Sequence, residues 1–125
     1  MKGFSLLCSD PIPISRQGRR MFLQVSPLAG FRHYRAGELW GLLGHGDVLQ
    51  LVREPQNPHD SNAVQICWRY NKLGYLPRSE NMAVARLLDQ GRRVHARITR
   101  LRDDDDPWKR VEVALEVEMP ATAMC

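Results

Sequence analysis

A carboxamide, an imidazole and a carboxylate fall close together in the run Pro55-Gln56-Asn57-Pro58-His59-Asp60. Two prolines hold φ at about −65°, and Asn and Asp side chains bond back to nearby backbone N–H groups, so the run reads as a stiff loop. A carboxylate on such a loop accepts a hydrogen bond from a hydroxyl but repels a phosphate in the same place. That is the chemistry needed to tell a free hydroxyl end from an internal phosphodiester. Asn57 and Asp60 also fit the plainer role of turn formers, and one residue often serves both purposes.

The charge pattern adds a partner to this chemistry. The formal net charge is +4, and 15 of the 18 basic residues are arginine. Residues 61–102 hold nine basic residues against two acidic ones, whereas residues 103–125 hold two against seven. A basic stretch of this kind is the footprint of a phosphate-backbone partner, and the arginine fork suits both phosphate and stacked bases. A solvated arginine-rich face is the competing explanation.

A different use of the same side chains is a metal-dependent nuclease, with His33, His45, His59, Asp47, Asp60 and the run Asp103–Asp106 as ligands. Two-metal hydrolysis requires carboxylates converging from packed elements. An acidic run within one turn points its side chains apart, and no H-E-x-x-H, P-loop or Ser/His/Asp pattern accompanies it. The expectation is a binding module with no catalytic residues, cofactor or metal. Cys8, Cys67 and Cys125 are isolated and odd in number, which speaks against a disulfide framework and for a reducing compartment. The apolar run near Phe4–Cys8 is too short for a signal peptide. No stretch approaches the roughly 20 apolar residues of a membrane span, so a cytoplasmic protein without membrane contact is expected.

The elements that must position these residues follow from hydrophobic period. Residues 1–19 read as a tail, 20–119 as one domain and 120–125 as a second tail. Met21, Leu23 and Val25 alternate with Phe22 and Gln24 in a first strand, and Phe31 and His33 with Arg32, Tyr34 and Arg35 read as a second, short one. Glu38–Leu43 is open between a helical turn and a strand, and Gly44–Asp47 is a turn. Val48–Glu54, Ala63–Arg69, Leu73–Leu76, Val94–Leu101 and Val111–Met119 alternate as strands. Residues 80–90 are a helix, with Ser79 as N-cap, an apolar stripe of Val84, Leu87 and Leu88 beside Ala83, and Gly91 at the C-terminal stop. Trp40, Trp68 and Trp108 are expected to pack. About six strands with one late helix, and room for a second short helix, predict a mainly β fold: a small antiparallel barrel with a helix at one end.

The run Arg53-Glu54-Pro55-Gln56-Asn57-Pro58-His59-Asp60-Ser61-Asn62-Ala63-Val64 resembles the R-E-P-x-N-P-x-D-x-N-A-[VI] core of the HIRAN domain. The resemblance continues upstream through Ala29-Gly30-Phe31-Arg32-His33-Tyr34. Downstream it runs through Leu73-Gly74-Tyr75-Leu76-Pro77-Arg78 and the helix ending Leu87-Leu88-Asp89-Gln90-Gly91, covering about residues 22–118. It implies a modified OB-like barrel that binds single-stranded DNA ends carrying a 3′-hydroxyl, alone or beside a DNA translocase or nuclease, in DNA repair or replication. On the same resemblance Asp60 would meet the terminal hydroxyl, Asn57 the backbone or terminal base, and Arg32 a phosphate, with Tyr75 lining the groove. In the family, aromatic residues, commonly tyrosine, stand where His33 and His59 stand here. An imidazole still stacks but offers less area. A protein-interaction or regulatory domain, with residues 103–118 as an acidic docking edge, is the alternative from another class.

Overall fold

The computed structural model describes residues 19–119. Six strands form one antiparallel sheet: β1 (Arg20–Pro27), β2 (Val48–Glu54), β3 (Ala63–Trp68), β4 (Asn71–Tyr75), β5 (Val94–Leu101) and β6 (Val111–Glu118). Their order across the sheet is β1-β6-β5-β2-β3-β4. The two outer strands do not remain free edges. Just beyond β1, Ala29 donates to the Tyr75 carbonyl (2.9 Å) and accepts from the Tyr75 N–H (3.0 Å), joining β1 to β4 and curling the sheet into a barrel. Closure satisfies backbone groups that an exposed edge would leave open.

Closure depends on a residue without a side chain. A Cβ on Gly74 would lie 2.1 Å from the Ala29 carbonyl oxygen, so only glycine lets the strands approach here. Inside, Ile66, Leu73, Leu76, Ile98, Val111, Val113 and Leu115 are all but inaccessible. β6 obeys its alternation closely, with Val111, Val113, Leu115 and Val117 in the core.

A short helix, α1 (Ala36–Leu39), runs into a 3-10 turn at Trp40–Leu42, which resolves the open segment at 38–43 as helical. The main helix, α2 (Met82–Asp89), packs across β2, β3 and β5. It begins later than the pattern predicts and without Ser79 as its cap. Residues 78–80 first close a 3-10 turn, with Glu80 donating to the Pro77 carbonyl at 2.9 Å, and Asn81 takes the N-cap position. Ala85, not Ala83, joins Val84 in the core. The C-terminal stop is as expected: Gly91 takes φ +78°, and Arg92 donates back to the Leu87 carbonyl.

Two further expectations are corrected. The segment Phe31–His33 is a 3-10 turn, not a strand. Gly30 at φ +81° reverses the chain, His33 donates to the Gly30 carbonyl, and Phe31 drops into the core edge-on to Trp40. In β1 a bulge between Phe22 and Gln24 breaks the alternation, so Met21, Phe22 and Val25 are all exposed while Ser26 is buried.

Candidate nucleic-acid interface

One end of the barrel carries a cavity of about 370 Å³ beside the Ala29–Tyr75 closure. Its walls come from four separate segments: Gly30, His33 and Tyr34 after β1, Asn57, His59 and Asp60 between β2 and β3, Tyr75 at the end of β4 with Leu76 through Arg78 beyond it, and Trp108 between β5 and β6. Five of the six residues singled out from the sequence meet here: His33, Asn57, His59, Asp60 and Tyr75. The sixth, Arg32, lines a smaller hollow of about 160 Å³ next to it, together with Phe31, Asp106 and Trp108.

The 55–60 loop is rigid for identifiable reasons. Asn57 Oδ1 accepts from the backbone N–H of His59 (2.8 Å) and of Asp60 (3.2 Å), while its Nδ2 donates to Glu54 Oε1 at 3.0 Å. These bonds make Asn57 a turn former here, and its Nδ2 keeps one further N–H to donate. Asp60 is held at both oxygens. Oδ1 accepts from Asn62 N–H at 2.9 Å, and Oδ2 accepts from Asn81 Nδ2 at 2.8 Å. A carboxylate oxygen has two lone pairs, so each retains capacity for one more donor. Asn81 is 1% exposed, so the helix cap and the loop carboxylate are tied together inside the protein.

Tyr75 is embedded in a charged relay. Its hydroxyl donates to Glu54 Oε1 (2.9 Å) and accepts from Lys72 Nζ (2.8 Å). The Lys72 ammonium also lies over the rings of Tyr34 (4.1 Å) and Tyr75 (4.5 Å), which themselves meet edge to face at 5.8 Å. Glu54 collects a further hydrogen bond from Gln65 Nε2. Burial alone would raise the Glu54 carboxyl, but the bonds from Asn57, Tyr75 and Gln65 and the charge of Lys72 outweigh it, and the group lies below its ordinary 4.5. Burial pushes the Tyr75 hydroxyl up, with Glu54 acting in the same sense and Lys72 opposing. For Lys72, burial acts downward and is overcome by its bond to Tyr75 and the nearby Tyr75, Tyr34 and Glu54 oxygens, so the ammonium is held above its ordinary value.

Three candidate ligands of the metal reading serve the fold: Asp47, Asp104 and Asp106. Asp47 Oδ2 accepts from Trp68 Nε1 and from Gly44 N–H, stapling the 44–47 turn to β3. Asp106 caps the 3-10 turn Pro107–Lys109 through Trp108 N–H, and Asp104 bonds Asp106 N–H. Trp68 is buried and Trp40 half-buried, but Trp108 is 49% exposed.

Tyr34, Arg78 and Trp108 line the cavity without having been singled out for it. Strand alternation would point Tyr34 away from His33, and only the 3-10 turn brings both to one hollow. Arg78 was legible as part of the run Leu73–Arg78. Nothing near Trp108 in the sequence signals its place, because it reaches the cavity from a loop some 50 residues beyond Asp60.

A closed antiparallel barrel with an aromatic-lined hollow among its connecting loops defines a small OB-like binding module. The HIRAN domain family model matches residues 21–120, and the chain belongs to the HIRAN domain family, known as nucleic-acid-binding modules. Among solved structures, a protein from Lactobacillus plantarum superposes with a TM-score of 0.71 at 29% identity, covering 81% of this chain and 98% of that one. The HIRAN domain of human HLTF superposes with a TM-score of 0.63 at 18% identity, covering 86% and 88%. No curated protein matches the chain. No helix among the described residues is long and apolar enough to cross a membrane.

Proposed function

We propose that the cavity receives the 3′-hydroxyl end of a single DNA strand. The observation that carries this reading is the convergence of His33, Asn57, His59, Asp60 and Tyr75 on one hollow from three separate segments. Asp60, fixed by Asn62 and Asn81, offers its remaining lone pairs to the terminal hydroxyl and repels a phosphate there. The rings of His33, Tyr34, His59, Tyr75 and Trp108 give the terminal bases flat partners, each stacked base contributing about 1–3 kcal/mol. Arg78 at the rim and Arg32 in the adjoining hollow meet backbone phosphates. Asn57 shapes the loop and offers its remaining Nδ2 N–H to the strand backbone or terminal base. The domain binds without cutting and leaves processing of the end to a translocase or nuclease in DNA repair or replication.

The test is an anisotropy titration with one labelled single strand ending in 3′-hydroxyl or in 3′-phosphate. The hydroxyl end should bind about tenfold or more tightly, matching the 1.5–3 kcal/mol of a charge-assisted hydrogen bond. Equal affinity for the two ends removes Asp60 from the role given to it.

A further inference from the structure

Trp108 faces more than the end cavity. On its other side lies a second cleft, of about 240 Å³, lined by Val25 and Pro27 of β1, Arg100 of β5, Arg102 beyond it, and Lys109 and Val111. Arg100, Arg102 and Lys109 are exposed, and none makes an ion pair among the described residues. Other cations of the same barrel are engaged: Arg20 and Arg97 by Glu116, Arg53 by Asp89, and Arg35 by Glu38. The one carboxylate in the cleft wall, Glu112, accepts from Thr99 Oγ1 at 3.0 Å.

The cleft is made by two irregularities in the strands that flank β6. In β5 the register shifts between Ile98 and Arg100. In a regular alternation Arg100 would share the face of Ile98, which is fully buried; the bulge at Thr99 turns it outward. The bulge in β1 likewise leaves Val25 exposed in the cleft wall. Three free cations with an exposed indole between them and the end cavity match the alternation of phosphate and base along a single strand.

From this continuity we infer that the cleft of Arg100, Arg102 and Lys109 is a second subsite, which holds the phosphates of the strand upstream of its end after the chain passes over Trp108. The proposal rests on the end-binding reading only for the direction in which the strand runs. The end cavity then selects the terminus, and the cleft adds affinity that grows with strand length.

The experiment compares wild type with R100Q/R102Q/K109Q, using 5′-labelled thymidine oligonucleotides of three and twelve nucleotides with 3′-hydroxyl or 3′-phosphate ends. Losing three phosphate contacts should lower the salt slope for the twelve-mer by about two, at about 0.7 per contact on a single strand, and weaken its binding by about tenfold at low salt. The three-mer should bind both proteins alike, and the preference for 3′-hydroxyl should be the same in both. A twelve-mer bound equally well with an unchanged slope overturns the subsite, as does an equal loss for both lengths. The end preference of the wild type reports on the other reading: a length-dependent loss without any such preference keeps the cleft and discards the hydroxyl pocket. A thermal melt checks the fold, and R102Q/K109Q takes the same test if the triple variant is unstable.

Discussion

The two hollows on either side of Trp108 are built from opposite materials. In the end cavity the groups that shape the loop and the β4 wall are committed before a ligand arrives: Asn57 to two backbone N–H groups and Glu54, Asp60 to Asn62 and Asn81, Tyr75 to Lys72 and Glu54. In the neighbouring cleft the cationic side chains Arg100, Arg102 and Lys109 are long, exposed and without an ion pair among the described residues. Committed groups hold a shape and a local charge, which is what discrimination between two ends requires. Free cations hold little shape but neutralise phosphate whatever the sequence. On the two proposals above, one small barrel separates selectivity from affinity by how firmly its polar groups are already bonded.

Breaking the cavity side at its foundation has the largest expected effect. Gly74→Ala forces a Cβ against the Ala29 carbonyl and should cost about 3 kcal/mol of stability, at the upper end of ordinary overpacking. Denaturant unfolding measures this. A loss below 1 kcal/mol would mean that the β1–β4 closure yields easily.

Asp60→Asn acts next. It turns one acceptor into a donor while both Asn62 N–H and Asn81 Nδ2 need acceptors, so a stability loss of about 1–3 kcal/mol is expected. Binding of a 3′-hydroxyl strand should weaken by a further 1.5–3 kcal/mol or so, with relaxed rejection of 3′-phosphate. A variant that unfolds outright marks Asp60 as a turn residue the fold depends on, whereas one that discriminates as wild type does places the pocket elsewhere.

A third, smaller effect appears in acid. Glu54 lies below 4.5 in the folded protein, so its contribution to stability is complete above that value and disappears as pH falls through the folded one. Melting temperature should therefore fall more steeply below pH 4.5 in wild type than in Glu54→Gln. Parallel curves would show that the Glu54–Tyr75–Lys72 relay does not stabilise the cavity wall.

The smallest change is expected from H33Y/H59Y. Both rings line the cavity, and the larger phenol surface should raise single-strand affinity a few-fold without altering the preference between ends. A fall in affinity in the titration would assign the imidazoles a role beyond stacking.

Periodicity and turn chemistry are local, and what they decide was readable from the chain alone. β2 and β5 fall at their expected boundaries, and β6, which carries an unbroken period of two, alternates as predicted. The 55–60 loop was legible for the same reason: prolines and side-chain-to-backbone bonds act within a few residues. Where one added residue changes the register, local pattern fails. The bulges in β1 and β5 exchange inside for outside, and the Gly30 reversal converts an apparent strand into a turn that brings Tyr34 beside His33. Other features have no local cause. The Ala29–Tyr75 bridge, the bond from Asn81 to Asp60, and the place of Trp108 between two hollows join residues far apart in sequence. The residue types and the stiff loop were set by the chain itself. Which of those residues share a cavity, and which cations remain free beside it, was decided only when the barrel closed, because closure alone sets the distances between loops that no sequence interval relates.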